Sequence, residues 1–295
     1  MTQPVWTHIP IMAPEIADLL LTNPHGVYVD GTLGLGGHTR YFLTRLADDA
    51  CILGFDKDEE ALAIAQERTA DKRLQAFHAG YTHAPEKLKE LGINGADGAL
   101  FDLGLSSYQL DNPDRGFSIL HNGPLDMRFD RANPVSAAVI VNTWPLQELE
   151  RILTDYGEEK NANKIALAIM RARKETPFET TEQLKKVVES VCPRYGKNHP
   201  ATQTFQALRI ACNAELDNVA QVLSVLTQIV KPGGRAAVLT FHSLEDRLVK
   251  NKFKEMAQSG AWKLINKHAL APSYEEVRHN RRARSAKLRV IERVL

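Results

Sequence analysis

Three apolar runs in the first third of the chain each end in an aspartate: Val27-Tyr28-Val29-Asp30, Cys51-Ile52-Leu53-Gly54-Phe55-Asp56 and Ala96-Asp97-Gly98-Ala99-Leu100-Phe101-Asp102. The first leads into Gly31-Thr32-Leu33-Gly34-Leu35-Gly36-Gly37-His38, four glycines within seven residues. So bare a turn lets the main chain approach a ligand that a side chain would hold off. The segment after it, with Phe42, Leu43 and Leu46 at helical spacing, supplies the free N–H groups of a helix start. The ligand is not cradled by a P-loop, which needs Gly-Lys-Ser/Thr at the end of the turn. The dinucleotide register G-x-G-x-x-G also fails, because from Gly34 and Gly36 its third position falls on Thr39. Asp56 stands about 20 residues beyond the glycines, where a second parallel strand sets a carboxylate against a ribose diol; its other reading is a cap for the helix that follows. An adenosine-bearing ligand without a pyrophosphate suits both features, so S-adenosylmethionine is the expected cofactor.

Carboxylates far apart in sequence meet only if their strands lie side by side. A first helix is expected over Ala13–Leu21, an Ala-rich helix over Glu59–Thr69 and a third strand over Leu74–Ala79. This alternation predicts an α/β fold with a parallel, doubly wound sheet, whose ligands lie at the carboxyl ends of the strands. Asp30, Asp56 and Asp102 then share one rim. Tyr81, just after Gly80, is placed to stack on adenine or to pack in the core. From Ser136 to about Val219 the pattern is helical, punctuated by Pro177, Pro193 and Pro200. A helical insertion between strands four and five is the simplest account. The expected organisation is a discontinuous cofactor-binding domain, 1–108 with 216–295, and an inserted substrate-recognition domain, 109–215. Within the insertion Phe205, Leu208, Cys212, Leu216 and Val219 make one apolar stripe. Gln206, Arg209 and Asn213 make a polar one, either solvated or lining a substrate cleft. Lys231-Pro232-Gly233-Gly234 reads as a turn feeding a fifth strand, Arg235–Phe241. His242 follows it, reaching the cleft or capping the next helix. Arg278, Arg281, Arg282, Arg284, Lys287, Arg289 and Arg293 surround a strand-like Leu288–Ile291; they suit phosphate contacts or a solvated tail.

The formal net charge of +1 over 295 residues excludes a globally basic nucleic-acid coat but permits local patches. Cys51, Cys192 and Cys212 are odd in number and lack CxxC spacing, which argues against a disulfide framework or a zinc site and for a reducing compartment. The N-terminal residues Met1–His8 lack a basic n-region and an apolar h-region, and no apolar run approaches bilayer length. A cytoplasmic protein without a membrane partner is therefore expected.

Several longer stretches resemble a single family. They are Asp30-Gly31-Thr32-x-Gly34-x-Gly36-Gly37-His38, Asp102-Leu103-Gly104-x-Ser106-Ser107-x-Gln109-Leu110-Asp111, Arg115-Gly116-Phe117-Ser118 and Gly123-Pro124-Leu125-Asp126-Met127-Arg128. His199-Pro200-Ala201-Thr202-x-Thr204-Phe205-Gln206, Phe241-His242-Ser243-Leu244-Glu245-Asp246-Arg247 and Ala283-Arg284-Ser285 complete the set. Together they are similar to the bacterial small-subunit (16S) ribosomal RNA cytosine-N4 methyltransferases, known as RsmH or MraW, over nearly the whole chain. The resemblance implies a Rossmann-like, S-adenosylmethionine-dependent enzyme that methylates the exocyclic amine of a cytidine in the decoding region. By position it implies Gly36, Gly37, His38, Asp56, Tyr81, Asp102 and Gln109 at the cofactor. Arg209, Asn213, His242 and Arg284 are the candidate substrate contacts, and small-subunit ribosomal RNA is the partner, within the ribosomal subunit. A homodimer is compatible with the sequence. Tyr81 departs from the phenylalanine common in the family, and the segment between Trp262 and Pro272 is shorter than in some members.

Cytosine N4 is a poor nucleophile because its lone pair is delocalised into the ring. Alignment with a sulfonium methyl lowers the barrier through orientation, and an acceptor for an N4 hydrogen localises the lone pair and takes the released proton. Asp102 is the candidate catalytic acceptor; alternatively it binds the cofactor, and carbonyls of Leu103 to Leu105 hold the amine. No metal is needed, since the leaving group departs neutral. The rival readings are a DNA amino-methyltransferase and a non-catalytic adenosylmethionine-binding RNA chaperone, while the glycine spacing disfavours a dehydrogenase.

Overall fold

The computed structural model describes residues 10–192 and 199–295; Pro193 and the segment Met1–His8 lie outside the described residues. The chain divides into two compact units, one running through Gly104 and resuming over Leu216–Leu295, the other Leu105–Glu215. The first boundary falls four residues before the expected 108/109.

Among the described residues the first unit is built on seven strands: β1 Val27–Asp30, β2 Cys51–Asp56, β3 Leu74–His78, β4 Ala96–Asp102, β5 Val230–Thr240, β6 Trp262–Leu264 and β7 Lys287–Arg293. Their order is β3-β2-β1-β4-β5-β7-β6. The first five are parallel, and β7 runs antiparallel to both β5 and β6. Ala96 to Phe101 of β4 are all buried, as expected of a parallel strand covered on both faces. Asp30 pairs with Gly54 on one side and Leu100 on the other. Asp56 and Asp102 each lie two residues past those partners and so flank the glycine turn that leaves β1. The turn stays pinned between them, with Gly31 N–H donating to the Leu100 carbonyl (2.8 Å) and Leu33 N–H to that of Phe55 (2.9 Å).

Three elements differ from the sequence expectation. Lys231-Pro232-Gly233-Gly234 is not a turn before β5 but a bulge inside it: the register with β4 shifts between Ala96 and Gly98, and Gly233 has φ +79°. A bulge tolerates a proline because its N–H is not required by the ladder. The three-residue β6 is too short to show periodicity. The apolar stripe from Phe205 to Val219 is broken at Ala214, whose φ is +49°, giving separate helices Thr202–Asn213 and Glu215–Ser224. The spacing runs on because each helix buries a stripe of its own, Phe205, Leu208 and Cys212 in one core and Val219, Val222 and Leu223 in another.

The second unit packs helices Ala137–Thr143, Leu146–Asp155, Ala162–Glu175, Thr181–Val191 and Thr202–Asn213 around Ile140, Ile152, Ile165, Leu184 and Phe205.

Candidate active site

The end of β1 carries a knot of short polar bonds. Asp30 is 2% exposed; it accepts from the Thr39 hydroxyl (2.7 Å) and Thr32 N–H (3.2 Å), tying the turn to the helix Gly37–Leu43. Burial raises its pKa against these bonds. Gly36 opens that helix with φ +77°, a left-handed conformation that side chains disfavour.

Asp56 accepts Gly34 N–H (2.7 Å) on one oxygen and Asp58 N–H (2.8 Å) on the other. Burial pushes its pKa up to about 6, with those two bonds opposing. It does not cap the following helix: Asp58 does, accepting from Glu60 and Ala61 N–H. The Asp56 carboxylate instead fixes the glycine turn from the β2 side.

Asp102 holds the other side. Its N–H donates to the Thr32 hydroxyl (2.7 Å), and its Oδ2 lies 3.5 Å from His38 Nδ1. Its Oδ1 is buried and has no hydrogen-bond partner among the described residues. Burial pushes this carboxyl up to about 6; the His38 charge opposes the rise, while Asp30 and Glu245 add to it. His38 is 5% exposed. Tyr81 packs edge-on to Phe101, centroids 5.6 Å apart, and its Cβ would sit 2.9 Å from a Cβ at Gly31. Gly36, Gly37, His38, Asp56, Tyr81 and Asp102 are thus gathered around the carboxyl ends of β1, β2 and β4.

The other candidates have local duties. Gln109, in the helical unit, forms a capping box with Ser106: its Oε1 accepts Ser106 N–H (3.1 Å), and Ser106 Oγ accepts Gln109 N–H (3.2 Å). Arg209 makes a bidentate pair with Glu215 at 2.8 and 2.9 Å. Asn213, 7% exposed, accepts from Phe129 N–H (2.8 Å) and donates to the carbonyls of Met127 (2.7 Å) and Arg209 (2.9 Å). Gln206 donates to the Tyr156 carbonyl (2.9 Å). The polar stripe read as solvated or cleft-lining is a bracket for neighbouring loops. Asn213→Ala is therefore expected to destabilise the protein by about 1–3 kcal/mol, since it leaves the Phe129 N–H and the Met127 carbonyl unpaired; urea denaturation measures this. His242 caps the helix Ser243–Gln258 by accepting Glu245 N–H at 3.4 Å, and its Nε2 lies 3.1 Å from Glu245 Oε1. Arg284 is exposed on a short turn.

Sequence reasoning passed over Thr32, Thr39 and Glu245. A hydroxyl two or nine residues past a strand-end aspartate carries no pattern of its own; only the register reveals the knot. A pocket of about 360 Å³ lined by Pro85, Leu88, Lys89, Ile93 and Arg293 lies beside the beginnings of β4 and β5, the opposite edge of the sheet.

A glycine turn and three carboxylates on the rim of a β3-β2-β1-β4-β5-β7-β6 sheet, with a helical unit inserted after β4, define a Rossmann-like methyltransferase. The chain belongs to the MraW methylase family, which it matches over residues 5–294. It is 55% identical over 290 residues to a protein of Elusimicrobium minutum named ribosomal RNA small subunit methyltransferase H, covering 98% of this chain and 99% of that one. A protein of the same name from Citrifermentans bemidjiense is 44% identical over 307 residues, covering 97% and 98%. Among solved structures, one described as a putative rRNA-methylase from Clostridium thermocellum aligns over 96% of this chain and 93% of its own, with a TM-score of 0.46 and 11% identity.

Proposed function

We propose that this protein transfers the methyl group of S-adenosylmethionine to N4 of a cytidine in the decoding region of small-subunit ribosomal RNA. It is a small-subunit rRNA methyltransferase, in keeping with relatives more than 40% identical along their full length. The observation that carries the finer reading is the Asp102 carboxyl at the β4 end of the rim, 19% exposed and raised in pKa by burial. Such a carboxyl lacks the donors that would satisfy it, and an exocyclic amine brings an N–H.

The residues present suit the cofactor. The turn from Gly31 to Gly37 leaves main chain open to it, Asp56 sits beside that turn, and Tyr81 offers a half-buried ring. When bound, the cofactor supplies a methyl group on a positively charged sulfur that departs neutral. The chain's own task is to hold the amine in line and accept its hydrogen. Orientation lowers the barrier, and hydrogen bonding to Asp102 restores lone-pair density to N4. The cytidine must leave its stack for its amine to meet the Asp102 carboxyl.

The side chains of Arg278, Arg281 and Arg284 are exposed and make no hydrogen bond or ion pair among the described residues. By contrast Lys287 and Arg289 are both paired with Asp246. The turn Arg281–Ser285 is anchored by the fully buried Ala283 and nearly buried Ala286, and Tyr274 nearby is 83% exposed. Unpaired guanidinium groups on an anchored turn suit phosphates, and an exposed ring suits base stacking. Replacing all three arginines by alanine is expected to raise KM for RNA by on the order of tenfold, leave kcat unchanged, and flatten the salt dependence of binding by about one unit of slope per lost phosphate contact.

The decisive test incubates the protein with labelled S-adenosylmethionine and either purified small subunits or naked small-subunit RNA, followed by nucleoside mass spectrometry. N4-methylcytidine from the decoding region is the expected product. Label on another base, or on DNA instead of ribosomal RNA, overturns the assignment.

A further inference from the structure

His38 lies beneath the rim, and both of its ring nitrogens have defined surroundings. Nε2 is 2.9 Å from the carbonyl oxygen of Ile11. A carbonyl only accepts, so Nε2 carries a hydrogen in both charge states of the ring. Nδ1 is therefore the atom that gains and loses a proton, and Asp102 Oδ2 faces it at 3.5 Å. With a neutral ring and an ionised carboxyl, two lone pairs would oppose each other in a site nearly closed to water. One proton between them removes the conflict.

We propose that His38 and Asp102 form a one-proton pair in which His38 is the positioning residue: its Nδ1–H holds the carboxylate in place and keeps Asp102 ionised as the acceptor for the substrate amine. This rests on the reading of Asp102 as the acceptor. The other charged groups facing Asp102 are Asp30 from β1 and Glu245 from the helix Ser243–Gln258. Both oppose its ionisation, and both are bound elsewhere, Asp30 to Thr32 and Thr39 and Glu245 to Phe241 N–H. On the His38 side, Asp30 faces the ring as a second carboxyl, and the Phe42 ring packs against it with centroids 6.3 Å apart. His38 is thus the cation placed to offset burial of the carboxylate.

The step balances. The N4 lone pair forms the bond to the methyl carbon, and the carbon–sulfur bond breaks with its electrons left on sulfur. N4 passes one proton to the Asp102 carboxylate, so the positive charge that began on the sulfonium donor ends on the His38–Asp102 pair and returns to solvent as a proton. A weak base suffices, because deprotonation returns the nitrogen lone pair to conjugation with the ring.

Two substitutions separate this role from simple packing. His38→Gln retains a donor for the Ile11 carbonyl but offers nothing to Oδ2; His38→Asn places an amide N–H where Nδ1 stood. His38→Gln is expected to move the acidic limb of kcat to higher pH by roughly one unit or more, with KM for S-adenosylmethionine changed less than about threefold, whereas His38→Asn restores the limb toward wild type. Nitrogen-15 NMR of histidine-labelled protein, without cofactor or RNA, provides a second readout. Nε2 should stay protonated throughout while Nδ1 titrates, and Asp102→Asn should lower the pH at which Nδ1 loses its proton. An Nδ1 titration indifferent to Asp102→Asn, or a His38→Gln profile that overlays wild type with only KM altered, overturns the pair. If wild-type protein methylates no cytidine N4, the functional reading fails, while the NMR coupling still decides the pair.

Discussion

Asp102→Ala is expected to lower turnover by on the order of 10²–10⁴ without lowering the stability of the fold at neutral pH. The loss in rate follows from removing the acceptor for the amine hydrogen. The stability expectation follows from the direction of its pKa. In the folded protein the carboxyl titrates at about 6 instead of 3.8, chiefly because burial disfavours the charge. An acid whose folded pKa lies above its unfolded one favours the fold while both states are protonated, below about 4; that advantage disappears as pH rises through about 6. At pH 7 the ionised Asp102 therefore opposes folding, by up to about 3 kcal/mol for a two-unit shift, less whatever solvent recovers through its 19% exposure. Asp56, also raised to about 6, adds in the same direction. Asp102→Asn, which keeps the shape, should raise Tm at pH 7 and change it little at pH 4. Thermal melts at the two pH values beside single-turnover methylation check both halves. Wild-type turnover in either variant would remove Asp102 from the chemistry, and a lower Tm for Asp102→Asn at pH 7 would mean that its carboxylate has favourable partners in solution.

The opposition between function and stability at the rim also explains what was legible in the sequence. Buried parallel strands must be apolar almost throughout, so a carboxylate at the end of each run stands out, and the runs ending at Asp30, Asp56 and Asp102 mark β1, β2 and β4. Their meeting on one rim follows from the parallel arrangement alone. Which carboxylate does what does not. Asp56 and Asp58 are equivalent as cap candidates by spacing, and only the bonds to Gly34 and from Glu60 and Ala61 separate them. Asn213 falls on the polar face of its helix, yet the Met127 carbonyl reaches it from far away in sequence. Ala214 gives no sign of a left-handed break, because alanine is the residue a continuous helix would most favour. Gln109 carries the Ser-x-x-Gln spacing of a capping box, a local signal that the structure uses as such.

Gly116→Ala and Gly123→Ala are expected to be the most damaging substitutions in the helical unit, each by more than about 3 kcal/mol, because overpacking here sets backbone against backbone. A Cβ on Gly123 would lie 1.9 Å from the carbonyl oxygen of Pro113, and one on Gly116 would lie 2.0 Å from that of Pro124. Neither neighbour is a side chain that can swing away. Gly116 also has φ +71°, which adds roughly 1–2 kcal/mol for a residue with a Cβ. The two segments are held together by more than contact. Met127 N–H donates to the Arg115 carbonyl (3.1 Å), and the Arg115 guanidinium, 1% exposed, donates to the carbonyls of Arg128 (2.9 Å) and Phe129 (3.0 Å). From this clamp, bonds run out to the helices: Ala137 N–H to Asp126 (2.7 Å), Ala138 N–H to Leu125 (2.8 Å) and Thr181 N–H to Gly123 (2.9 Å). The stretches Arg115-Gly116-Phe117-Ser118 and Gly123-Pro124-Leu125-Asp126-Met127-Arg128, which the family resemblance singles out, thus have an architectural reason for their glycines and their arginine. Hydrogen exchange across 105–215 and limited proteolysis measure the effect: either alanine variant should lose amide protection in the helices Ala137–Thr143 and Thr181–Val191. Arg115→Met, which removes the guanidinium while roughly keeping the volume, should lose about 1–3 kcal/mol by stranding its carbonyl partners. Unchanged protection in Gly123→Ala would show that Pro113 and Gly123 do not approach so closely in solution, and the clamp would then have to be sought in the Arg115 bonds alone.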